Sequence, residues 1–196
     1  MATPHIVTVF GSSQPKEAEE SYTTAYAVGS ELARAGFVVC NGGYGGTMEA
    51  SARGAKDAGG TTMGITCGAV EGKKANRWID REFHEASLTE RLMKLIAMGD
   101  AYVILRGGTG TLLELAAVWE FVNKGLLPEK PIIVLGPFWH GLIQTLKDEL
   151  AWEGMEDCSR YVIEASSPEI CAREISRHFR NQLSTIPPPL PLTISR

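Results

Sequence analysis

Residues 102–114 read YVILRGGTGTLLE and carry the clearest structural signal in the chain. The first four residues are apolar, and tyrosine, valine and isoleucine are types enriched in β-strands. After the glycines, apolar residues continue at helical spacing over 112–124. A strand that passes through a glycine loop into a helix is the repeating unit of a parallel α/β sheet. This stretch therefore predicts a strand at 102–105 and a helix at 112–124.

The same alternation continues on both sides of this stretch. Short apolar runs predict strands at 6–10, 37–40, 61–66, 131–135 and 161–163, and amphipathic stretches predict helices at 16–35, 48–58, 87–98, 139–150 and from 168 onward. The apolar runs lack polar alternation, as expected for strands buried on both faces. We therefore predict an α/β fold: a Rossmann-like, doubly wound, mostly parallel sheet with helices on both faces. Residues 1–184 are predicted to form one domain, 68–86 an irregular functional loop, and the proline-rich residues 185–196 a tail.

The composition of the chain disfavours several classes of protein. Its net charge of −4 argues against binding nucleic acid through a broad basic surface. No apolar run approaches the length of about 18 residues that spans a bilayer, and residues 1–7 lack the features of a signal peptide. The four cysteines are scattered without a C-x-x-C pair, which predicts buried, reduced thiols. We therefore expect a cytoplasmic protein without a metal, a cofactor, a nucleic-acid partner or a membrane partner.

The loop at residues 107–111 has the features of a phosphate site. Its three glycines lack a Cβ, so the backbone can approach an anion closely. The helix that follows directs free N–H groups and its positive end toward the same point, and the two threonines add hydroxyl donors. The alternative is a tight strand-to-helix turn in which Thr111 and Glu114 form a capping box. The residues alone leave both interpretations open.

Two more loops follow predicted strands and therefore belong to the same edge of the sheet. Residues 41–49 read NGGYGGTME, and the first strand is followed by Gly11, Ser12 and Ser13. Both loops can bring backbone against a nucleotide, although glycine-rich turns with positive φ explain them equally well. The first strand is not followed by Gly-x-Gly-x-x-Gly, which disfavours a nicotinamide dehydrogenase.

Arg91 lies on a helix that Ser87 and Glu90 open as a capping box. Arg91 and Lys94 are three residues apart and share a face of that helix, away from its apolar side. A solvated basic face and an anion-binding role are both compatible with this arrangement.

Together these residues resemble the Lonely Guy family, which is often labelled lysine decarboxylase-like. That family has a P-G-G-x-G-T-x-x-E motif and an Arg-Lys pair on the helix that precedes the strand of the motif. Residues 107–114 match the motif from its first glycine onward, and Arg91 matches the arginine of the pair. The likeness extends over roughly residues 5–180.

The resemblance implies a homodimer that hydrolyses AMP or a cytokinin riboside 5′-monophosphate to the free base and ribose 5-phosphate. Leu92 stands where the family has lysine, and Arg106 stands where it has proline. The first departure removes a cation from the implied site, and the second adds one beside the phosphate loop. Molybdenum-cofactor carrier proteins share the fold and a related glycine motif. A non-catalytic nucleotide or cofactor carrier is therefore the alternative function.

The resemblance assigns catalysis to Arg91 and Glu114. A carboxylate beside the ribose stabilises an oxocarbenium-like state and activates water, while the arginine positions the nucleotide and assists the departing base. The residues expected to bind the substrate and its phosphate are Gly11, Ser12, Gly43, Gly45, Arg106, Gly107, Gly108, Thr109, Gly110 and Thr111. The helical stretch at 112–122 is apolar on nearly every side, which predicts burial in the core or in an interface of a homodimer or larger oligomer.

Overall fold

The computed structural model describes residues 3–68 and 74–184 of the chain. The strands are β1 (Ile6–Phe10), β2 (Val38–Asn41), β3 (Thr62–Cys67), β4 (Arg81–Glu85), β5 (Ala101–Ile104), β6 (Ile132–Leu135) and β7 (Val162–Ala165). The helices are α1 (Glu20–Arg34), α2 (Thr47–Asp57), α3 (Leu88–Met98), α4 (Thr109–Asn123), α5 (His140–Trp152) and α6 (Pro168–Ser184). Short 3₁₀ turns at Pro137–Trp139 and Glu156–Tyr161 flank α5.

The strands of the described chain form one sheet in the order β4-β3-β2-β1-β5-β6-β7. Every neighbouring pair is parallel, which confirms the predicted α/β architecture. The chain moves outward from β1 to β4 on one side and then crosses to β5 on the other side. The order therefore reverses between β1 and β5. In sheets of this kind, ligands bind at the carboxyl ends of the strands next to such a reversal.

Helices cover both faces of the sheet, as predicted. On one face, Val28 of α1 and Ile175 of α6 belong to a buried apolar cluster that also includes residues of α2. On the other face, Ile96 of α3 and Leu115 of α4 belong to a second cluster that also includes a residue of α5. Successive side chains of a strand point to opposite faces, so the central strands supply apolar residues to both clusters.

The edge strand β4 was not expected, because the sequence predicts irregular structure over residues 68–86. Arg81–Glu85 pair in parallel with β3, and that part of the prediction is wrong. A strand at the edge of a sheet has one side in water and tolerates charged residues. Of its side chains, Phe83 packs against the second apolar cluster. The other four side chains of β4 are polar or charged, so the strand lacks the apolar run by which the sequence would indicate it.

Three further predictions concern the C-terminal tail, membrane spans and the cysteines. Residues 185–196 lie outside the described residues, so the tail and the domain boundary at 184 stay predictions. None of the described helices is long and apolar enough to cross a bilayer. All four cysteines are free thiols. Cys40, Cys67 and Cys171 are buried, as predicted, whereas Cys158 is only partly buried.

Helices α1 and α2 pack closely against each other at two glycines. A Cβ on Gly29 would lie 1.9 Å from the carbonyl oxygen of Ser51, and a Cβ on Gly54 would lie 2.0 Å from that of Tyr26. In each case the obstacle is helix backbone, which cannot rotate away as a side chain can. The packing of the two helices therefore requires glycine at both positions.

Gly29→Ala is expected to lower the free energy of unfolding by about 3 kcal/mol, at the upper end of overpacking costs, because the added methyl group meets backbone. Gly141→Ala is the matched control, since this glycine also lies in a helix and a Cβ there meets nothing within 4 Å. The control should be neutral or more stable by up to about 1 kcal/mol. Urea denaturation followed by circular dichroism measures both changes. Equal stability of the two variants would contradict this packing account.

Candidate functional site

Three loops meet at the carboxyl edge of the sheet, beside the point where the strand order reverses. The backbone N–H of Thr47 and its hydroxyl both donate to the carbonyl oxygen of Ser12, at 2.9 and 3.0 Å. The N–H of Ser12 donates in turn to the carbonyl oxygen of Arg106 at 3.3 Å. A Cβ on Gly11 would lie 2.5 Å from the Thr47 hydroxyl, so the loops could not approach this closely with a larger residue there.

These loops, together with α3 and the segment 74–80, enclose a cavity of about 650 Å³. Its lining is Gly11, Ser12, Ser13, Gln14, Tyr44, Gly45, Met48, Lys74, Asn76, Arg91, Gly108, Thr109, Gly110, Thr111 and Glu114. The structure therefore brings both predicted catalytic residues and most of the predicted binding residues into one space.

The base of this cavity is the N-terminus of α4, which begins at Thr109 and not at 112 as predicted. Gly108 is the N-cap, and no side chain caps the helix. The first backbone N–H with a partner inside the helix is that of Leu112, which donates to the carbonyl oxygen of Gly108 at 3.0 Å. The N–H groups of the first turn are therefore free to bind an anion. The alternative capping box is absent, because Thr111 lies inside the first turn.

Glu114 projects from the next turn of α4 into the same cavity. Burial raises the pKa of its carboxyl group to about 7, and the positive charge of Arg91 partly opposes this rise. Within the described residues, the carboxylate accepts no hydrogen bond from the protein. Carboxyl groups with a raised pKa in a cavity are typical of acid–base catalysts.

Arg91 reaches the cavity from α3 and is held in place by backbone groups. Its Nε donates to the carbonyl oxygen of Ile65 at 2.7 Å, and its Nη2 donates to that of Gly42 at 3.1 Å. The guanidinium carbon lies 5.4 Å from the ring centroid of Tyr44. These contacts place a fixed positive charge opposite Glu114. The remaining N–H donors of the guanidinium can serve a ligand.

Two predicted binding glycines support the cavity without lining it. Gly43 has a φ of +77°, and its N–H donates to Asn41 Oδ1 at 2.8 Å, so it forms a turn. A Cβ on Gly107 would lie 2.2 Å from Thr111 Oγ1, so this glycine lets the loop close over the first turn of α4.

Arg106 also lies outside the cavity, although the sequence assigns it to phosphate binding. Its guanidinium carbon is 4.9 Å from the ring centroid of Phe138, and both residues line two neighbouring cavities instead of this one. Arg106 stands where the Lonely Guy motif has proline, and the positive charge that it adds therefore lies outside the cavity.

Some cavity residues were missed by the sequence analysis. Asn76 donates from Nδ2 to the carbonyl oxygens of Gly43 and Tyr44, at 3.1 and 2.8 Å, and fixes the segment 74–80 over the glycine loop. The hydroxyl of Tyr44 accepts a hydrogen bond from the N–H of Cys67 at 2.9 Å. Lys74 adds a second cation to the lining. In the sequence, Asn76 is marked only by its place in a long polar segment, and this does not indicate which residues it contacts.

Comparison with known proteins assigns this chain to a family. The family model described as the SLOG cluster4 family matches residues 4–171. The chain belongs to this SLOG family. Among curated proteins, the SLOG protein is 34% identical over 120 residues to an uncharacterized protein of Archaeoglobus fulgidus, which covers 60% of this chain and 77% of that one.

A second curated relative of the SLOG protein carries a functional name. It is the cytokinin riboside 5′-monophosphate phosphoribohydrolase of Mycobacterium tuberculosis, 31% identical over 136 residues, or 68% of this chain and 72% of that one. Among solved structures, the molybdenum cofactor binding protein of Rippkaea orientalis is similar with a TM-score of 0.68 and 27% identity. That match covers 91% of this chain and 99% of the other. The resemblance to Lonely Guy proteins is therefore confirmed at the level of the family.

Proposed function

We propose that this SLOG protein hydrolyses the N-glycosidic bond of nucleoside 5′-monophosphates, such as AMP or a cytokinin riboside monophosphate. The observation that carries the proposal is the arrangement in one cavity of an uncapped helix N-terminus, a partly buried carboxyl group and a fixed arginine. The phosphoribohydrolase name of the M. tuberculosis relative supports it.

The cavity fits a nucleotide in size and in charge. Its volume of about 650 Å³ lies within the range of about 300–1,000 Å³ that is usual for small-ligand sites. The 5′-phosphate would bind at the free N–H groups of Thr109, Gly110 and Thr111, where the helix dipole favours an anion. Glu114 lies one turn further along α4, so the ribose of a nucleotide bound in this way would extend toward its carboxylate.

The reaction requires charge stabilisation and an activated water. The bond between C1′ and the base nitrogen breaks, its electron pair leaves with the base, and positive charge develops on the ribose. The Glu114 carboxylate stabilises that charge and accepts a proton from the water that adds to C1′. Arg91 donates hydrogen bonds that orient the nucleotide. The proton that Glu114 takes from the water passes through solvent to the nitrogen of the departing base, which leaves as a neutral product and restores the carboxylate. The binding of the phosphate holds the reacting carbon in place.

Incubation with AMP and with isopentenyladenosine monophosphate, followed by chromatographic separation of base from nucleotide, tests this proposal. Release of the free base supports it. Release of inorganic phosphate with an intact nucleoside would indicate a phosphatase instead.

A non-catalytic carrier is the second candidate function, and Leu92 is the residue that favours it. Leu92 packs against the apolar cluster of the second face and does not line the cavity. The cation that Lonely Guy proteins have at this position is therefore absent, although Lys74 lines the cavity from another loop. The similar Rippkaea orientalis structure is that of a molybdenum cofactor binding protein. Tight binding of a phosphate-bearing ligand without turnover would support the carrier function.

The activity of the proposed enzyme should increase with pH. The reaction needs the Glu114 carboxylate, and the pKa of this group is raised to about 7 in the folded protein. Below that pH the group is protonated, so kcat/KM for AMP should fall about tenfold per pH unit below pH 6 and level off above pH 8. A profile of initial rates from pH 5 to pH 9 measures this. A flat profile, or one that falls as the pH rises through 7, would contradict the role of Glu114.

The proposed enzyme should also be a homodimer. On the α3 and α4 side of the sheet, Leu88, Met93 and Leu113 are 56%, 46% and 54% exposed. If two chains packed against each other through this face, these side chains would be removed from water. Light scattering should therefore give about twice the chain mass of 21.2 kDa. Leu113→Glu should shift the protein to a monomer. Leu126→Glu is the control and should leave the dimer intact; Leu126 lies beyond the end of α4 and is 70% exposed. A monomeric wild-type protein would contradict this assembly.

A further inference from the structure

A second groove lies at the carboxyl edge of the sheet, next to the proposed active site. It consists of two adjoining cavities of about 530 and 560 Å³. Both are lined by Glu20, Ser21, Arg106 and Phe138. The mechanism proposed above uses none of these side chains.

Arg106 and Phe138 give this groove a surface suited to a planar ring. The guanidinium carbon lies 4.9 Å from the centroid of the Phe138 ring, and that ring is 48% exposed. Within the described residues, Arg106 forms no ion pair with a carboxylate. An exposed aromatic ring beside a guanidinium can stack with a flat heterocycle, since both groups interact well with π-systems.

The charges of the groove favour a ring with N–H donors over a simple anion. Glu20 lines both cavities and Glu19 lines one of them. Their two carboxylates outnumber the single guanidinium of Arg106, so a free phosphate would be repelled. An amino group on a heterocycle would find an acceptor in either carboxylate.

The groove adjoins the active-site cavity. Ser12 and Gln14 line both of them. Gly107 lines the groove and Gly108 lines the cavity. A phosphate at the N-terminus of α4 would therefore lie at the boundary between the two spaces. A group attached to the far side of that phosphate would extend toward Phe138.

We propose that the ligand of this protein extends beyond its phosphate into the groove, where a second amino-bearing heterocycle stacks on Phe138. The ligand class is a dinucleotide, with two nucleosides joined through phosphate groups. This inference rests on the proposed function for the position of the phosphate, and it names the substrate class of the same site.

Calorimetric titration of AMP, ADP and diadenosine diphosphate into the Glu114→Gln variant tests the inference, because turnover is then suppressed. Diadenosine diphosphate should bind about ten- to a hundredfold more tightly than AMP, the range expected for stacking of one base. ADP carries an additional phosphate but no second ring, so its affinity should exceed that of AMP by a much smaller factor. Adding Phe138→Ala should reduce the affinity for diadenosine diphosphate to that for AMP, whereas Phe138→Tyr should preserve it. Trp152→Ala is the control for loss of an exposed aromatic ring, since Trp152 is 82% exposed at the end of α5.

The outcomes separate this inference from the proposed function. Binding of AMP and diadenosine diphosphate with equal affinity would overturn the dinucleotide inference and leave the nucleotide hydrolase intact. Equal gains for ADP and diadenosine diphosphate would overturn it as well, because the second ring would contribute nothing. Failure of all three nucleotides to bind would contradict both proposals.

Discussion

Glu114→Gln should reduce the release of adenine from AMP by about 10³-fold in kcat, with little change in KM. The amide has nearly the shape of the carboxylate, but it can neither accept a proton from water nor balance positive charge on the ribose. The phosphate contacts at the start of α4 are backbone N–H groups, which the substitution does not alter. The loss should therefore appear in the chemical step.

The stability of the same variant distinguishes catalysis from structural damage. The pKa of Glu114 is raised to about 7, above its ordinary value, so the folded state favours the protonated group. The contribution of this group to stability is present below its unfolded pKa and is lost as the pH rises through 7. At pH 8 the neutral amide should therefore leave the melting temperature unchanged or higher. Loss of activity together with loss of stability would contradict this reasoning.

Glu120→Gln is the matched control for Glu114→Gln. Glu120 lies on the same helix, is exposed, and has its Oε1 3.6 Å from Nζ of Lys124. An exposed ion pair of this kind contributes little to stability. The control should keep the activity of the wild-type protein within about twofold, since a substitution on the exposed surface does not alter the interactions of the transition state.

Arg91→Ala should lower kcat/KM by at least about 10²-fold and also lower the melting temperature. The guanidinium donates to the carbonyl oxygens of Ile65 and Gly42, so its removal leaves both acceptors without these partners. It also removes the cation that faces Glu114, so the pKa of that carboxyl group should rise further. The pH at which activity reaches half its maximum should shift upward, which a purely structural role would not cause.

Arg91→Lys separates charge from geometry. Lysine keeps the positive charge but cannot donate in the planar arrangement that reaches both carbonyl oxygens. We expect an intermediate kcat/KM and a smaller upward shift of the pH profile. Arg77→Ala is the control, because Arg77 stacks at 4.7 Å on the ring centroid of Trp78 outside the cavity lining. Activity of Arg91→Ala within threefold of the wild-type protein would exclude the arginine from the mechanism.

The sequence predicts the fold well because the buried strands and their loops have strong local signals. Central strands such as β5 are apolar at every position, and glycine clusters mark where they end. The edge strand β4 lacks this signal, because its stability comes from pairing with β3 and not from burial of its own residues. The start of α4 was placed three residues late, since Thr109 and Gly110 are weak helix formers that the loop geometry nonetheless makes helical.

Only part of the site could be predicted, because some of its residues are far apart along the chain. Glu114 and the glycines of 107–111 are neighbours in sequence, so one local motif identifies them together. Asn76 contacts Gly43 from more than thirty residues away, and no local pattern indicates such a contact. The direction of Arg106 depends on the ring of Phe138, which follows the next strand. Contacts of this kind are set by the order of the strands and become visible only in the folded chain.

The products formed from AMP test the central claim most directly. Wild-type protein is incubated with excess AMP at pH 8, and adenine, ribose 5-phosphate and remaining AMP are quantified over time. We predict that adenine and ribose 5-phosphate appear in equal amounts and exceed the amount of protein many times over. If AMP binds but is recovered intact, with less than one equivalent of adenine per chain, the protein is a carrier and the proposed hydrolysis is wrong.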